Sequence, residues 1–205
     1  MKEELIRYIE AGLWESKNAI DKFCVADNYQ TITRVSFKIK DALLRGNKVI
    51  IFGNGGSASD ADHFAAELVG KLSDFRRPFP VISLSNNGAV LTCIGNDFGF
   101  ERIFSRQISA FAVEGDIVIG ISTSGKSVNV QNALATAMNK NVYTFGVFGK
   151  DGNDCKHYCN DFILVDEEIT QRVQEVHHII LHSICEAVLH LIYDFKLDSV
   201  VKPIT

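Results

Sequence analysis

Two short stretches pair small residues with hydroxyls or amides. Residues 120–127 read GISTSGKS and residues 52–64 read FGNGGSASDADHF. In the first, Ser122, Thr123, Ser124 and Ser127 stand just ahead of a helical pattern that starts near 127. Four hydroxyls beside the free N–H groups of a helix start suit an anion such as phosphate. In the second, Asn54, Gly55, Gly56 and Ser57 follow an apolar run and precede another helix. Adjacent glycines let the main chain approach a ligand closely. Each stretch alone also reads as a tight strand-to-helix turn with an N-cap serine. Both at strand ends of one sheet point to a ligand site, because open α/β sheets bind ligands along that edge.

GISTSGKS also fits G-x-x-x-x-G-K-[ST], the phosphate loop of nucleotide triphosphatases. FILVDEE (162–168) would then be the strand whose acidic end holds magnesium. That reading is disfavoured. The strand should end at Gly120, yet Ile121 continues the apolar run and the turn starts only at Ser122. The loop is too short to wrap a β-phosphate, and Asn54–Ser57 is left without a role.

A second group of residues suits acid–base or metal chemistry. His63 and Glu67 are four residues apart on one predicted helix, so they share a face. RVQEVHHIILH carries Gln174, His177, His178 and His182. Gln174, His178 and His182 form one stripe with His177 beside it, and spacing alone does not choose among the three histidines. Gln174 and His182 stand about 12 Å apart along a helix axis, a gap that extended side chains or helices from two subunits would have to close. The plainer alternative is a solvated helix face, which His190 also fits. Cys155, His157 and Cys159 in CKHYC lack a second ligand pair at zinc-finger spacing and read as packing or surface residues.

The elements that position these residues follow from hydrophobic rhythm. Residues 3–26 and 28–45 read as helices, with Leu5, Ile6, Ile9, Leu13, Ile20 and Phe23 and then Ile32, Val35, Phe37, Ile39 and Leu43 as apolar positions. Gly46 is the stop signal. Five apolar runs without alternation follow, at 48–53, 80–84, 116–121, 142–148 and 161–165; such runs predict strands buried on both faces of a parallel sheet. Helical patterns at 57–72, 87–95, 101–112, 127–139 and 169–195 separate or follow them. The alternation predicts a doubly wound α/β fold. We read one domain over 1–205: a helical segment 1–46, the sheet with its catalytic helices 47–195, and a short tail 196–205. The apolar stripes exceed what one sheet needs, which points to self-association.

The chain has 205 residues and a formal net charge of −4. No Lys/Arg cluster marks a nucleic-acid surface. The N-terminal twenty residues carry acids throughout, so neither a signal peptide nor a membrane span is expected there. Five cysteines without secretory context predict reduced thiols and a cytoplasmic protein.

FGNGGSASDADHFAAELVGKL, IGNDFGFERIFSRQ, GDIVIGISTSGKSVNV and RVQEVHHIILH, in that order, resemble the sedoheptulose 7-phosphate isomerases, or phosphoheptose isomerases, of the sugar isomerase (SIS) domain superfamily. The resemblance runs from about residue 3 to 193. It implies a three-layer SIS-type sandwich with a five-stranded parallel sheet, N-terminal helices and a long C-terminal helix, assembled as a homotetramer with active sites between subunits. It implies that Ser122, Thr123, Ser124 and Ser127 hold the sugar phosphate, and that Asn54, Gly55, Gly56, Ser57, Asn96, Asp97, Glu67 and Gln174 line the sugar. His63, Glu67, Gln174 and His182 match the family's zinc positions, with Glu67 and His182 catalytic. The resemblance, not the spacing, selects His182. The implied reaction converts sedoheptulose 7-phosphate to glycero-manno-heptose 7-phosphate through an enediol, for lipopolysaccharide or capsule. The alternative is a non-catalytic SIS module that binds a sugar phosphate or a protein; relatives with that fate lack the helix glutamate, and Glu67 is present. Gln171 and Lys71 depart from the usual residues at their positions and bear on substrate choice.

Overall fold

The computed structural model describes residues 1–70 and 77–193; Lys71 and the tail 196–205 lie outside the described residues. Five strands form a wholly parallel sheet: β1 (Val49–Phe52), β2 (Val81–Ser83), β3 (Ile117–Ser122), β4 (Tyr143–Gly149) and β5 (Asp161–Val165). Their order is β2-β1-β3-β4-β5. The chain starts near the middle, winds to one edge, returns beside β1 and winds to the other. The winding direction therefore reverses between β1 and β3, where the crevice of a doubly wound sheet opens.

The strands lack a polar face because both faces are covered. Val49 and Ile51 join Ile117, Ile119 and Ile121 in one core, while Ile50, Phe52 and Val118 point into the other. The first core lies under α1 (Lys2–Phe23), α2 (Ala26–Leu44), α3 (Gly56–Val69) and α7 (Thr170–Tyr193). The second lies under α4 (Gly88–Phe98), α5 (Ser105–Phe111) and α6 (Val128–Asn139). This is the expected three-layer sandwich. By length and composition α7 could cross a membrane. Nine of its residues are buried, including Val173, Val176, Ile180, Ile184 and Val188, and they pack into the first core.

Several expected boundaries shift for local reasons. The first two helices break at Cys24 and Val25, not at 27, and Val25 is extended. The Asn28 amide donates to the Phe23 carbonyl at 2.7 Å, capping the end of α1. The 87–95 helix runs on to Phe98, and its start is capped by the Asn87 side chain accepting from Val90 N at 3.1 Å. The 101–112 helix divides into a 3-10 turn (Phe100–Arg102) and α5, after Gly99 at φ +93°. The N-terminal half of α1 departs further. Leu5, Ile6, Ile9 and Leu13, read as apolar helix positions, are exposed along with Tyr8 and Trp14; burial begins only at Ala19 and Phe23. Phe37 of α2 is exposed too.

Candidate functional site

The turn after β3 is built by bonds between its hydroxyls and its main chain. β3 continues through Ile121 to Ser122 and α6 starts at Val128, as the apolar run predicted. Ser122 Oγ and Ser127 Oγ face each other at 3.0 Å. Ser122 Oγ also accepts from Gly125 N at 3.1 Å, and Ser124 Oγ accepts from Lys126 N at 3.2 Å. Gly125 sits at φ +65°, and a Cβ there would collide with the carbonyl group of Gly152. The segment after β4 braces the turn from outside: Asn153 Nδ2 donates to Ser124 O at 2.8 Å and Cys155 N to Gly125 O at 3.2 Å. Facing hydroxyls of Ser122 and Ser127 at a helix start are chemically suited to an anion. The strand with the acidic end, β5, is separated from β3 by β4, so Asp166 does not follow the strand next to this turn.

The turn after β1 lies on the other side of the crevice. Gly55 has φ +57°, and α3 starts at Gly56. The end of β1 is held to Ser85, whose hydroxyl donates to Gly53 O at 3.0 Å and accepts from Gly53 N at 3.2 Å. Asn54 and Asn129 exchange two amide hydrogen bonds, both 2.9 Å. Asn129 is in the first turn of α6 and is buried. The pair thus ties the two turns together across the switch point.

The third part is a histidine cluster between α3 and α7. His63 Nε2 and His182 Nε2, 119 residues apart, meet at 2.9 Å. Glu67 Oε1 is 3.3 Å from the same His63 nitrogen. His178 joins them, and the three imidazoles each offer a nitrogen within 4.8 Å of the others. His178 Nδ1 lies 3.2 Å from Asp60 Oδ1. Burial, followed by the neighbouring His178 and His63, holds His182 below the usual histidine range. A neutral imidazole there can ligate a metal or accept a proton. Burial raises the Asp60 carboxyl, opposed by its bond to His178. His177, next along the helix, points the other way: it is buried, and burial lowers it to about 4.

The structure therefore brings His63, Glu67 and His182 together, and separately Ser122 and Ser127. Gln174 lies elsewhere, against Gly56, where a Cβ would strike its amide. Asn96 and Asp97 are exposed at the end of α4; Asn96 Nδ2 donates to Asp97 Oδ1 at 2.7 Å, and among the described residues no hydrogen bond links either to the two turns. Ser57 is buried in the first turn of α3. Cys155 and Cys159 flank a 3-10 turn; burial pushes the Cys155 thiol up to about 12 and raises Cys159 as well, so both are inert packing residues. Asp60 and Asn129 were missed by sequence reasoning. Asp60 had a signal, one turn before His63 on the same face; Asn129 had none short of the fold.

Comparison with known proteins agrees with this architecture. The pattern of the SIS domain family matches residues 15–149. The phosphoheptose isomerase of Clostridium acetobutylicum is 42% identical over 193 residues, 94% of this chain and 98% of that protein. The phosphoheptose isomerase of Citrifermentans bemidjiense is 49% identical over 150 residues, 73% of this chain and 78% of that protein. A solved phosphoheptose isomerase structure from Francisella tularensis superposes with a TM-score of 0.80 at 28% identity, covering 91% of this chain and 96% of that one. The chain belongs to the SIS domain family and, within it, to the phosphoheptose isomerases.

Proposed function

We propose that the chain isomerises sedoheptulose 7-phosphate to glycero-manno-heptose 7-phosphate, in the cytoplasm, in a route to lipopolysaccharide or capsule heptose. Residues 1–205 act as one SIS domain. The observation that carries this reading is the meeting of Glu67 and His182 around His63, an acid–base set brought from two distant helices. Ser122, Thr123, Ser124 and Ser127 hold the phosphate, whose remote binding energy positions the reacting carbons. Asn54, Gly55, Gly56, Ser57, Asn96, Asp97 and Gln174 line the sugar. Glu67 removes the C1 proton α to the C2 carbonyl, giving the enediol, and the proton returns to C2. His182 moves the proton from the C1 oxygen to the C2 oxygen. A carboxylate and an imidazole serve because their pKa values are tunable near neutrality.

Two imidazole nitrogens 2.9 Å apart with a carboxylate oxygen at 3.3 Å also fit zinc as a donor set. His63, Glu67 and His182, with Gln174, would hold it, and zinc there supplies Lewis-acid polarisation of a substrate oxygen.

We read the phosphate turn of one subunit as serving the Glu67–His182 pair of another, within a homotetramer. The exposed apolar residues of α1, among them Leu5, Ile9, Leu13 and Trp14, supply a surface for that assembly. Proton NMR of sedoheptulose 7-phosphate with the protein in D₂O tests the activity. Aldoheptose signals with deuterium at C2 are expected; an unchanged spectrum with and without zinc rejects this substrate.

A further inference from the structure

Helices α3 and α7 pack side by side and in step. Gly56 faces Gln174, Asp60 faces His178, and His63 faces His182. Each step is about one helical turn on both helices, so the two run parallel as a ladder of three rungs. His178 occupies the middle rung. It is one turn nearer to His182 than Gln174 is, about 6 Å against about 12 Å along the axis.

The geometry of the middle rung is that of a supported ligand. The His178 ring lies 4.4 Å from that of His182 and 4.9 Å from that of His63, centroid to centroid. Nitrogens sharing one tetrahedral zinc stand about 3.3 Å apart, given Zn–N bonds of about 2.0 Å. The 2.9 Å His63–His182 contact and the 4.8 Å limit of the whole cluster bracket that spacing. Asp60 takes Nδ1 of His178, which leaves Nε2 as the nitrogen with a free lone pair. A carboxylate on the far nitrogen is the usual support of a metal-bound histidine. Asp60 is mostly buried, and its second oxygen is shielded without a hydrogen-bond partner. An ordinary half-exposed ion pair would stabilise the protein by little and would not explain three imidazoles converging.

We propose that His178, oriented by Asp60, is a ligand of the metal held by His63 and His182, so that a borderline divalent ion such as zinc or cobalt sits on a three-imidazole face. The proposal rests on the reading that this cluster binds metal. Imidazole donors select zinc, cobalt or nickel over magnesium or calcium. Glu67 is then a further neighbour, and Gln174, one rung from His178, stands farther along the axis from His182 than His178 does.

The test is cobalt titration of the metal-free full-length protein, followed by visible absorption, with zinc affinity from competition against a chromophoric chelator. Wild type is expected to bind one ion per chain. His178→Ala should lose about 100-fold or more in affinity and change the cobalt spectrum. Asp60→Asn, which removes only the support, should lose about 10–100-fold. Gln174→Ala should lose less than His178→Ala, and His190→Ala, on the exposed face of α7, nothing. Circular dichroism of the metal-free variants checks that each is folded. If wild type binds and His178→Ala binds equally with the same spectrum, His178 is not a ligand although the metal reading stands. A larger loss in Gln174→Ala than in His178→Ala also overturns the proposal. If wild type binds no metal, the metal reading falls, the proposal falls with it, and the His63–His182 contact is a hydrogen bond between rings.

Discussion

The two halves of the site are built in different ways. The turn after β3 is held by bonds between side chains and main chain. Its hydroxyls bond to its own amides, Gly125 packs on Gly152, and Asn153 braces it from the next crossover. The histidine cluster is held by side chains alone, on two helices whose register decides what meets what. The first half is braced within one chain. The second is open on one side; His178 and His63 are each about two-fifths exposed. In the proposed function, phosphate binding falls to the braced turn and proton transfer to the partly exposed side chains. The cradle should fail on changes to its backbone as well as to its hydroxyls, and the cluster on changes to its side chains.

The largest effect is expected in the cluster. Glu67→Gln should lower turnover by about 10³-fold or more, within the usual range for a general base, with phosphate affinity and unfolding temperature unchanged. Substantial residual activity would remove Glu67 from the role of base. Mixing this variant with Ser124→Ala and reassembling the subunits should recover part of the activity if sites are shared between subunits. No recovery would place both halves in one chain.

Gly125→Ala tests the cradle. A side chain at positive φ costs about 1–2 kcal/mol, and the collision with Gly152 adds a similar amount. A loss of about 3 kcal/mol, or about 8 °C in Tm, should come with lost phosphate binding. Unchanged binding would mean the backbone does not define the cradle.

His177 and His178 are adjacent on α7 yet face opposite environments, which gives a pH test. Burial takes His177 from 6.5 to about 4. The Phe148 backbone lies near enough to oppose that shift, but neither ring nitrogen makes a hydrogen bond of good geometry. The unfolded chain therefore takes up this proton before the native one does. Its contribution to stability is full above pH 6.5 and is lost as pH falls toward 4, up to about 3 kcal/mol at 1.36 kcal/mol per unit. Urea unfolding at pH 7 and pH 4.5 should show a smaller acid loss in His177→Phe than in wild type. An equal loss in both would assign the acid sensitivity to the carboxylates.

The smallest effect concerns the link between the turns. Asn129→Ala leaves the Asn54 amide without its two partners, a cost of about 1–3 kcal/mol. KM should rise more than kcat falls, because Asn129 positions Asn54 without touching the reacting carbons. A pure loss of kcat would mean that the pair acts in chemistry rather than in binding.

Much of the fold was legible because apolar runs and small-residue turns are local signals. The apolar run at 116–121 could be read as one strand passing Gly120, as Ile117–Ser122 does, and that counted against the triphosphatase loop. The break at Val25 was harder to read, because one capping bond from Asn28 set it. The exposure of Leu5, Ile9 and Leu13 was illegible, since helical periodicity places residues on a face without saying whether anything covers that face.

The same limit divides the local pattern of the site from its assembly. The i, i+4 rule put His63 with Glu67, and Gln174 with His178 and His182, because helix geometry is the same everywhere. Which stripe meets which, and at what height, depends on the lengths of the crossovers and the packing of α3 and α7 on one sheet face. That register set Gln174 against Gly56, gave His178 to Asp60 and His182 to His63, and turned His177 into the core. No local pattern encodes it, because the partners are more than a hundred residues apart along the chain and come together only when the sheet between them is complete.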